Sequence, residues 1–472
     1  MIVNAVINTV AKTKDGKMEK NGDGGVTPMD ETNTPLNRKR AVFFLFLMLV
    51  ILNADQMVMS PVIGLIENEF NVTDSHIGLI GGVFSIVGAL VSLIWGYLTD
   101  VYNRKWLLIA SILVGEIPCL LSATATSFGQ LFFWRVLTGI GIGASFPISY
   151  SLAGDMFGHK ERGKVVSLLG LATTVGGIVG MLVAGYTAGF LGWRIPFILV
   201  SAPNLILVPI IMNILQEPKR GAHEEGFEQA EVQYKYKVKF SDYGNLIKVR
   251  TNLLLFFQGI FGTIPWGAIP YFMVEFFRRE KEMDLNQATT MFLLFSLGSI
   301  AGNLIGGFVG EKLYSKSKRL VPLISAITTI LGVFFTVWAF RYPYIPGQFS
   351  SFVLLGTLGF VAAMLDSYTG PNVKMMLLNV NEPKDRGRIF SIFNLTDSVG
   401  TGIGKFIGGA LSVAFGTLGS ALEISAYFWF ACGFLLMLAS WYFEMEVDKL
   451  NKQMRELAEI EELEEKEEKT QK

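Results

Sequence analysis

The segment Lys160-Glu161-Arg162-Gly163-Lys164-Val165-Val166-Ser167 returns 224 residues later as Lys384-Asp385-Arg386-Gly387-Arg388-Ile389-Phe390-Ser391. The register continues beyond it. Val175, Gly176, Gly180 and Gly185 fall on Val399, Gly400, Gly404 and Gly409, and Pro147 falls on Pro371. In each copy a short charged loop leads into a glycine-spaced apolar run long enough to cross a bilayer. A chain whose second half repeats its first, both halves hydrophobic, reads as two parallel membrane bundles.

Twelve windows are apolar enough to cross about 30 Å of hydrocarbon, which takes about 20 helical residues. They lie near 41–66, 76–98, 106–126, 130–155, 164–190 and 194–215, then 251–277, 288–311, 320–340, 348–373, 388–413 and 421–444. The runs lack the alternation of barrel strands. The expected fold is therefore an all-α membrane protein, with twelve transmembrane helices in two six-helix bundles. Only 17% of the residues are charged, and 50 Gly and 37 Phe suit helices packed closely in lipid. Residues 1–40 read as a disordered N-terminus without a signal peptide, 41–215 and 251–445 as the bundles, 216–250 as a polar linker and 446–472 as a charged, solvated helical tail. Cys119 and Cys432 sit in apolar runs, which excludes a disulfide framework.

Orientation follows from the basic loops. Arg38, Lys39, Arg40, Arg104, Lys105, Lys160, Arg162, Lys316, Lys318, Arg319, Lys384, Arg386 and Arg388 share one side with the linker, and few basic residues occupy the other. Both termini are expected in the cytoplasm, in a plasma or inner membrane. The loop Gly96-Tyr97-Leu98-Thr99-Asp100-Val101-Tyr102-Asn103-Arg104-Lys105 joins the second and third helices on that side. Gly96 is expected to let two helices approach. Asp100 suits a basic partner or a helix N-terminus. Arg104 is within reach of Asp155, a contact expected to form only with the cytoplasmic side closed, as a latch. A weaker copy, Gly307-Phe308-Val309-Gly310-Glu311, follows the eighth helix.

These loops resemble the signature loop of the major facilitator superfamily, and Arg135-x-x-x-Gly139-x-Gly141-x-Gly143 resembles its fourth-helix motif. The resemblance spans roughly residues 41–445. Within the superfamily, Asn53-Ala54-Asp55, Asp155 with Glu161-Arg162, Glu217-Pro218-Lys219-Arg220-Gly221 and Asn394-Leu395-Thr396-Asp397 look like the spinster group of lipid transporters. Gln56 stands where that group has Arg, and Ile142 where it has Glu. The resemblance implies a transporter of a small amphipathic lipid, such as a lysophospholipid or sphingoid phosphate. With no carboxylate at position 142, proton coupling and facilitated diffusion both stay open.

Ionisable residues inside hydrocarbon are costly and mark sites. Counted at 1.5 Å per residue, Asp55 lies about 21 Å from the cytoplasmic face and Arg135 about 8 Å below the outer face. In a core about 30 Å thick the two stand level, so an ion pair or shared substrate site between helices 1 and 4 is expected. The alternative is a permanent pair that only fixes packing. Glu116 lies mid-membrane beside Pro118 and can carry a proton or bond a neighbouring carbonyl. Asp366, Asp397 and Lys405 are expected as a polar cluster across a central cavity, or as the lining of a wet cleft. Pro265 and Pro270 predict a broken seventh helix that hinges the outer gate.

Gly400-Thr401-Gly402-Ile403-Gly404-Lys405 imitates a phosphate loop, but Phe406 follows and no strand precedes it. Asn71-Val72-Thr73 is a sequon with meaning only in a secretory-pathway cell. No metal cluster, cofactor motif, nucleophile triad or nucleic-acid patch is evident, so an enzyme is not expected. The expected protein is a monomer in contact with membrane lipid, an amphipathic or anionic substrate and, if coupled, protons. Rivals are a porter of polar organic anions or drugs, and a membrane sensor or scaffold that transports nothing.

Overall fold

The computed structural model describes residues 35–157, 159–215, 217, 246–382 and 385–471. The expected N-terminus and linker lie almost wholly outside these residues, as do the side chains of Asp100, Arg162 and Arg386. Among the described residues the chain is helical: α1 Pro35–Ala54, a 3-10 turn Ser60–Val62, α2 Ile63–Phe70, α3 Asp74–Val101, α4 Arg104–Ser122, α5 Phe128–Ile142, α6 Ser145–Met156, α7 His159–Leu191 and α8 Arg194–Ile214. The second half continues with α9 Arg250–Glu280, α10 Leu285–Lys316, α11 Leu320–Arg341, α12 Phe349–Ser367, α13 Thr369–Asn379, α14 Arg386–Phe415 and α15 Leu418–Gln471. Pairs α1–α2, α5–α6 and α12–α13 each make one crossing, so the chain crosses twelve times in two bundles of six. Eleven crossings are long and apolar enough to span a membrane, and the first is interrupted after Ala54.

The sequence repeat is a structural repeat. The fourth crossing breaks at Gly143–Ala144 and the tenth at Tyr368, which fall opposite one another in the same 224-residue register. A β-carbon on Gly176 or Gly180 of α7 would collide with the carbonyls of Val50 and Ala54 on α1. Their counterparts Gly400 and Gly404 on α14 meet the carbonyls of Ile260 and Ile264 on α9 in the same way. Small residues therefore bring backbones together twice, once in each bundle. The third member of each ladder does something different. Gly185 meets Thr289 on α10, and Gly409 meets the Asp74 carbonyl on α3, so both seat the bundles on one another.

The bundles are joined toward the end opposite the basic loops. Ser60 Oγ donates to the Pro270 carbonyl at 3.2 Å, Tyr186 and Thr290 share a hydrogen bond at 3.2 Å, and Ser412 donates to Asp74 at 2.7 Å. Gly78 and Gly82 of α3 lie against Lys405, Gly409 and Gly402 of α14. Arg279 of α9 ties to Glu67 and Asp74 across the same seam.

Two expectations need correction here. Helix α9 runs unbroken through Pro265 and Pro270. Neighbours on both sides hold it: Gly267 abuts the Thr401 carbonyl, and Trp429 Nε1 donates to the Gly262 carbonyl at 2.9 Å. The break occurs instead in its repeat partner. In the register that sets Val50 and Ala54 on Ile260 and Ile264, the non-helical stretch 55–59 falls opposite Pro265. Gly96 approaches nothing within 4 Å, so it makes no close helix contact. Of the second loop's glycines, Gly307 has ordinary contact with Pro371, and the tight approach is that of Gly310 to Asn372. The tail extends α15 and is not purely solvated at its start. Glu446 accepts from the Arg250 and Thr251 amides at 2.9 and 3.0 Å, capping α9, and Asp448 pairs with Lys318.

Candidate functional site

The interruption of the first crossing positions the site. Because α1 ends at Ala54, the Asp55 carbonyl has no helical donor four residues on, and Arg135 Nη2 of α5 donates to it at 2.7 Å. The expected meeting of Asp55 with Arg135 therefore takes place, but through the carbonyl and not as an ion pair of side chains. Among the described residues, both Asp55 carboxyl oxygens are buried without a hydrogen-bond partner, as are Glu116 Oε2 and Arg135 Nε. Asp55, Glu116, Cys119 and Arg135 lie within electrostatic reach of one another. Glu116 Oε1 accepts from Asn204 Nδ2, which also reaches the Met48 carbonyl at 3.2 Å. The guanidinium lies over Phe84 at 4.9 Å and Phe197 at 5.5 Å from the ring centroids.

Lys405 approaches from the other bundle. Its ammonium donates to Ser85 at 2.9 Å and lies over Tyr271 at 5.1 Å and over the same Phe84 ring at 5.6 Å. Among the described residues it makes no ion pair, although it is only 3% exposed. One cation from each bundle thus flanks a single aromatic ring, and two carboxyls stand behind Arg135.

Among the described residues, Asp366 and Asp397 make no hydrogen bond or ion pair with this group or with one another. Asp366 lies between α11 and α12, where Thr336 donates to it at 3.2 Å and the missing side chain of Gly332 makes room. Asp397 is half-buried against Gly259 of α9, with Oδ1 unpartnered. They lie on different helices, α12 and α14, each within electrostatic reach of the buried Cys432.

At the basic end, Arg104 pairs with Asp155 and with Glu217 at 2.8 Å, and Glu217 also accepts from the Lys105 amide at 2.9 Å. The expected Arg104–Asp155 contact forms between α4 and α6 of the first bundle, and Glu217 at the start of the linker joins it. Glu311 is exposed. Replacing Arg104 with alanine should cost about 1.5–3 kcal/mol, since charge-assisted bonds to Asp155 and Glu217 are lost together. Thermal unfolding of the purified protein checks this, and an unchanged midpoint would remove the node from the stability of the bundle.

The sequence reading missed Phe84, Ser85, Asn204 and Tyr271. Asn204 carried a signal, being an amide inside an apolar run (Pro203-Asn204-Leu205). The two rings carried none, since Phe and Tyr are ordinary lipid-facing residues.

The family model of the Major Facilitator Superfamily matches residues 45–339 and 251–468. The chain belongs to the major facilitator superfamily. Among solved structures, it is similar to a bacterial homolog of the human lysosomal transporter spinster, in an inward-facing and unoccupied conformation. That match has a TM-score of 0.74 at 19% identity and covers 89% of this chain and 98% of the other. Protein spinster of Drosophila melanogaster is 24% identical over 59% of this chain, though over only 46% of that protein. The hexuronate transporter of Bacillus subtilis (strain 168) is 24% identical over 70% of this chain and 74% of its own length. The superfamily consists of membrane transporters, and this member, an integral multi-pass protein, resembles the spinster group.

Proposed function

We propose that this superfamily member carries a small amphipathic anion by rocking its two bundles about the Arg135–Phe84–Lys405 group, with its basic end and both termini in the cytoplasm. The observation that carries this reading is Lys405: a buried cation that makes no ion pair among the described residues, separated by one ring from Arg135 of the opposite bundle. A buried charge is tolerated when a partner compensates it. An anionic headgroup bound to both cations would supply that partner and draw the bundles together. Aromatic faces on Phe84, Phe197 and Tyr271 suit an apolar body beside the charged head. The resemblance to the spinster group favours a lysophospholipid or sphingoid phosphate. The names of other relatives, hexuronate and sialic acid transporters, favour a polar organic anion on the same two cations.

Asp55 and Glu116 make proton coupling chemically available. Two carboxyls beside one guanidinium leave one negative charge over, and one shared proton balances it. In this reading the joined outer end leaves the protein facing inward. Proteoliposome uptake of a labelled lysophospholipid, challenged by glucuronate and sialic acid, tests the substrate class: competition by lysolipids alone identifies the lipid, and competition by the sugar acids alone identifies the polar anion. Uptake at several pH values tests the coupling. Asp55→Asn should lose any gradient-driven accumulation while exchange persists, and accumulation equal to that of the parent would take Asp55 out of the coupling.

A further inference from the structure

The seam at the outer end holds a charge cluster that the transport site does not use. Glu67 lies beyond the first membrane window, at the outer mouth. From α2 it faces Asp74 at the start of α3 and meets Glu275 and Arg279 of α9. Arg279 is bound at once by Glu67, by Asp74 at 3.0 Å and by Glu275 at 2.6 Å, and Arg278 reaches Glu275 at 3.3 Å. Glu275 also accepts from the Gly64 amide at 3.2 Å. Three carboxyls therefore face two guanidiniums, which leaves one negative charge over.

That surplus has an address. Glu67 is 9% exposed, and its Oε1 is buried without a hydrogen-bond partner among the described residues. Glu67 and Asp74 both bind the Arg279 guanidinium, which brings their two carboxyls together. Two carboxylates have no hydrogen to share, so the contact is favourable only with a proton between them. A cleft of about 620 Å³, lined in part by Glu67, Asn71, Glu275 and Arg279, connects the cluster to the outer solution.

We propose that Glu67 is a proton-binding site of the outer face, and that closing the outer mouth takes up one external proton, held between Glu67 and Asp74. The proposal rests on the alternating-access reading above but invokes none of its substrate residues. The proton enters and leaves from the same side, so it crosses no membrane. It sets which way the protein faces and drives no accumulation, unlike a proton on Asp55.

The titration supports this sign. In the closed cluster, burial first, then the hydrogen bond and charge of Asp74, push Glu67 up to about 8 from an ordinary 4.5, against the lowering effect of Arg279. The bias toward closure is full below about 4.5 and is lost as the pH rises through about 8. Other titratable groups lie nearby but face elsewhere. Glu69 pairs with Arg194 and Trp193, His76 bonds Thr73 at 3.0 Å on the exposed rim, and Glu280 accepts from the Gly419 amide.

Spin labels on cysteines replacing Thr126 and Gln348, exposed outer loop residues of the two bundles, report the opening by pulsed dipolar distance measurement. In the parent, the closed-to-open ratio should rise by up to about tenfold per pH unit as the pH falls from about 8 toward 4.5. Glu67→Gln should be insensitive to pH over that range, and Asp74→Asn should lose the response or move it to lower pH. His76→Gln should titrate as the parent does. A parental response in both Glu67→Gln and Asp74→Asn, or its loss in His76→Gln, would overturn the proposal. One distance that never changes with pH or added lysolipid, in any variant, would overturn alternating access itself and this proposal with it. Two populations insensitive to pH in the parent would overturn this proposal alone.

Discussion

Arg135→Gln should reduce uptake at least about a hundredfold. The side chain is only 2% exposed; it binds the Asp55 carbonyl at the first-crossing break and lies over two aromatic rings, with the Asp55 and Glu116 carboxyls within electrostatic reach. Removing one member of such a buried charged group costs about 3–5 kcal/mol, because the remaining charges lose their compensation. Glutamine can still donate to the Asp55 carbonyl, so the loss falls on charge and not on the shape of the break. Arg135→Lys should not restore activity, since an ammonium cannot replace a planar guanidinium stacked between Phe84 and Phe197. Lys405→Gln tests the other half. If both cations hold one anion, the double variant should lose much less affinity than the sum of the single losses, measured by ligand-induced thermal shift. Strictly additive losses would mean that the two cations serve different groups, and parental uptake by Arg135→Gln would take that residue out of the site.

The second large effect separates packing from motion. Gly180 and Gly409 belong to equivalent ladders, and alanine at either would drive a β-carbon into a backbone carbonyl. At Gly180 that carbonyl is Ala54, in the same bundle. No rigid rotation of the bundles relieves the clash, and overpacking of this kind costs about 1–3 kcal/mol or more in every conformation. At Gly409 the carbonyl is Asp74, across the seam, and opening the outer mouth removes the clash completely. Gly180→Ala should therefore lower the thermal midpoint with or without ligand. Gly409→Ala should keep most of its stability, populate the outer-open distance between Thr126 and Gln348 labels, and transport little. If both variants lose the same stability and show the same distances, the ladders do not divide into a packing part and a moving part.

Much of the architecture was legible because bilayer thickness leaves the chain few choices. An apolar run of about 20 residues must be a spanning helix, and a long-range repeat must be a repeated bundle. Depth was legible for the same reason, since rise per residue is constant: Asp55 and Arg135 do stand level. Rotation about the helix axis was not. Arg135 meets the Asp55 carbonyl because α1 ends at Ala54, and nothing in Asn53-Ala54-Asp55-Gln56 announces that ending. Asp366 and Asp397 are at similar counted height, yet they sit on different helices with different neighbours, Thr336 and Gly259. Two prolines in α9 are the usual signal of a break, yet that helix is continuous and the break falls after α1. Glu67, Asp74 and Glu275 read as ordinary loop and helix-end acids until Arg279, 212 residues from Glu67, is brought among them.

By itself the sequence determined the twelve crossings, the two-bundle repeat and the glycine positions, because hydropathy, length and register are local properties summed along the chain. Only the tertiary structure decided which carbonyl each glycine faces, that Lys405 and Arg135 share one ring, and that three carboxyls meet two guanidiniums at the seam. Those contacts depend on the rotation of helices from different bundles against one another. That rotation is set by side-chain packing between segments some 200 residues apart, which no single stretch of sequence contains.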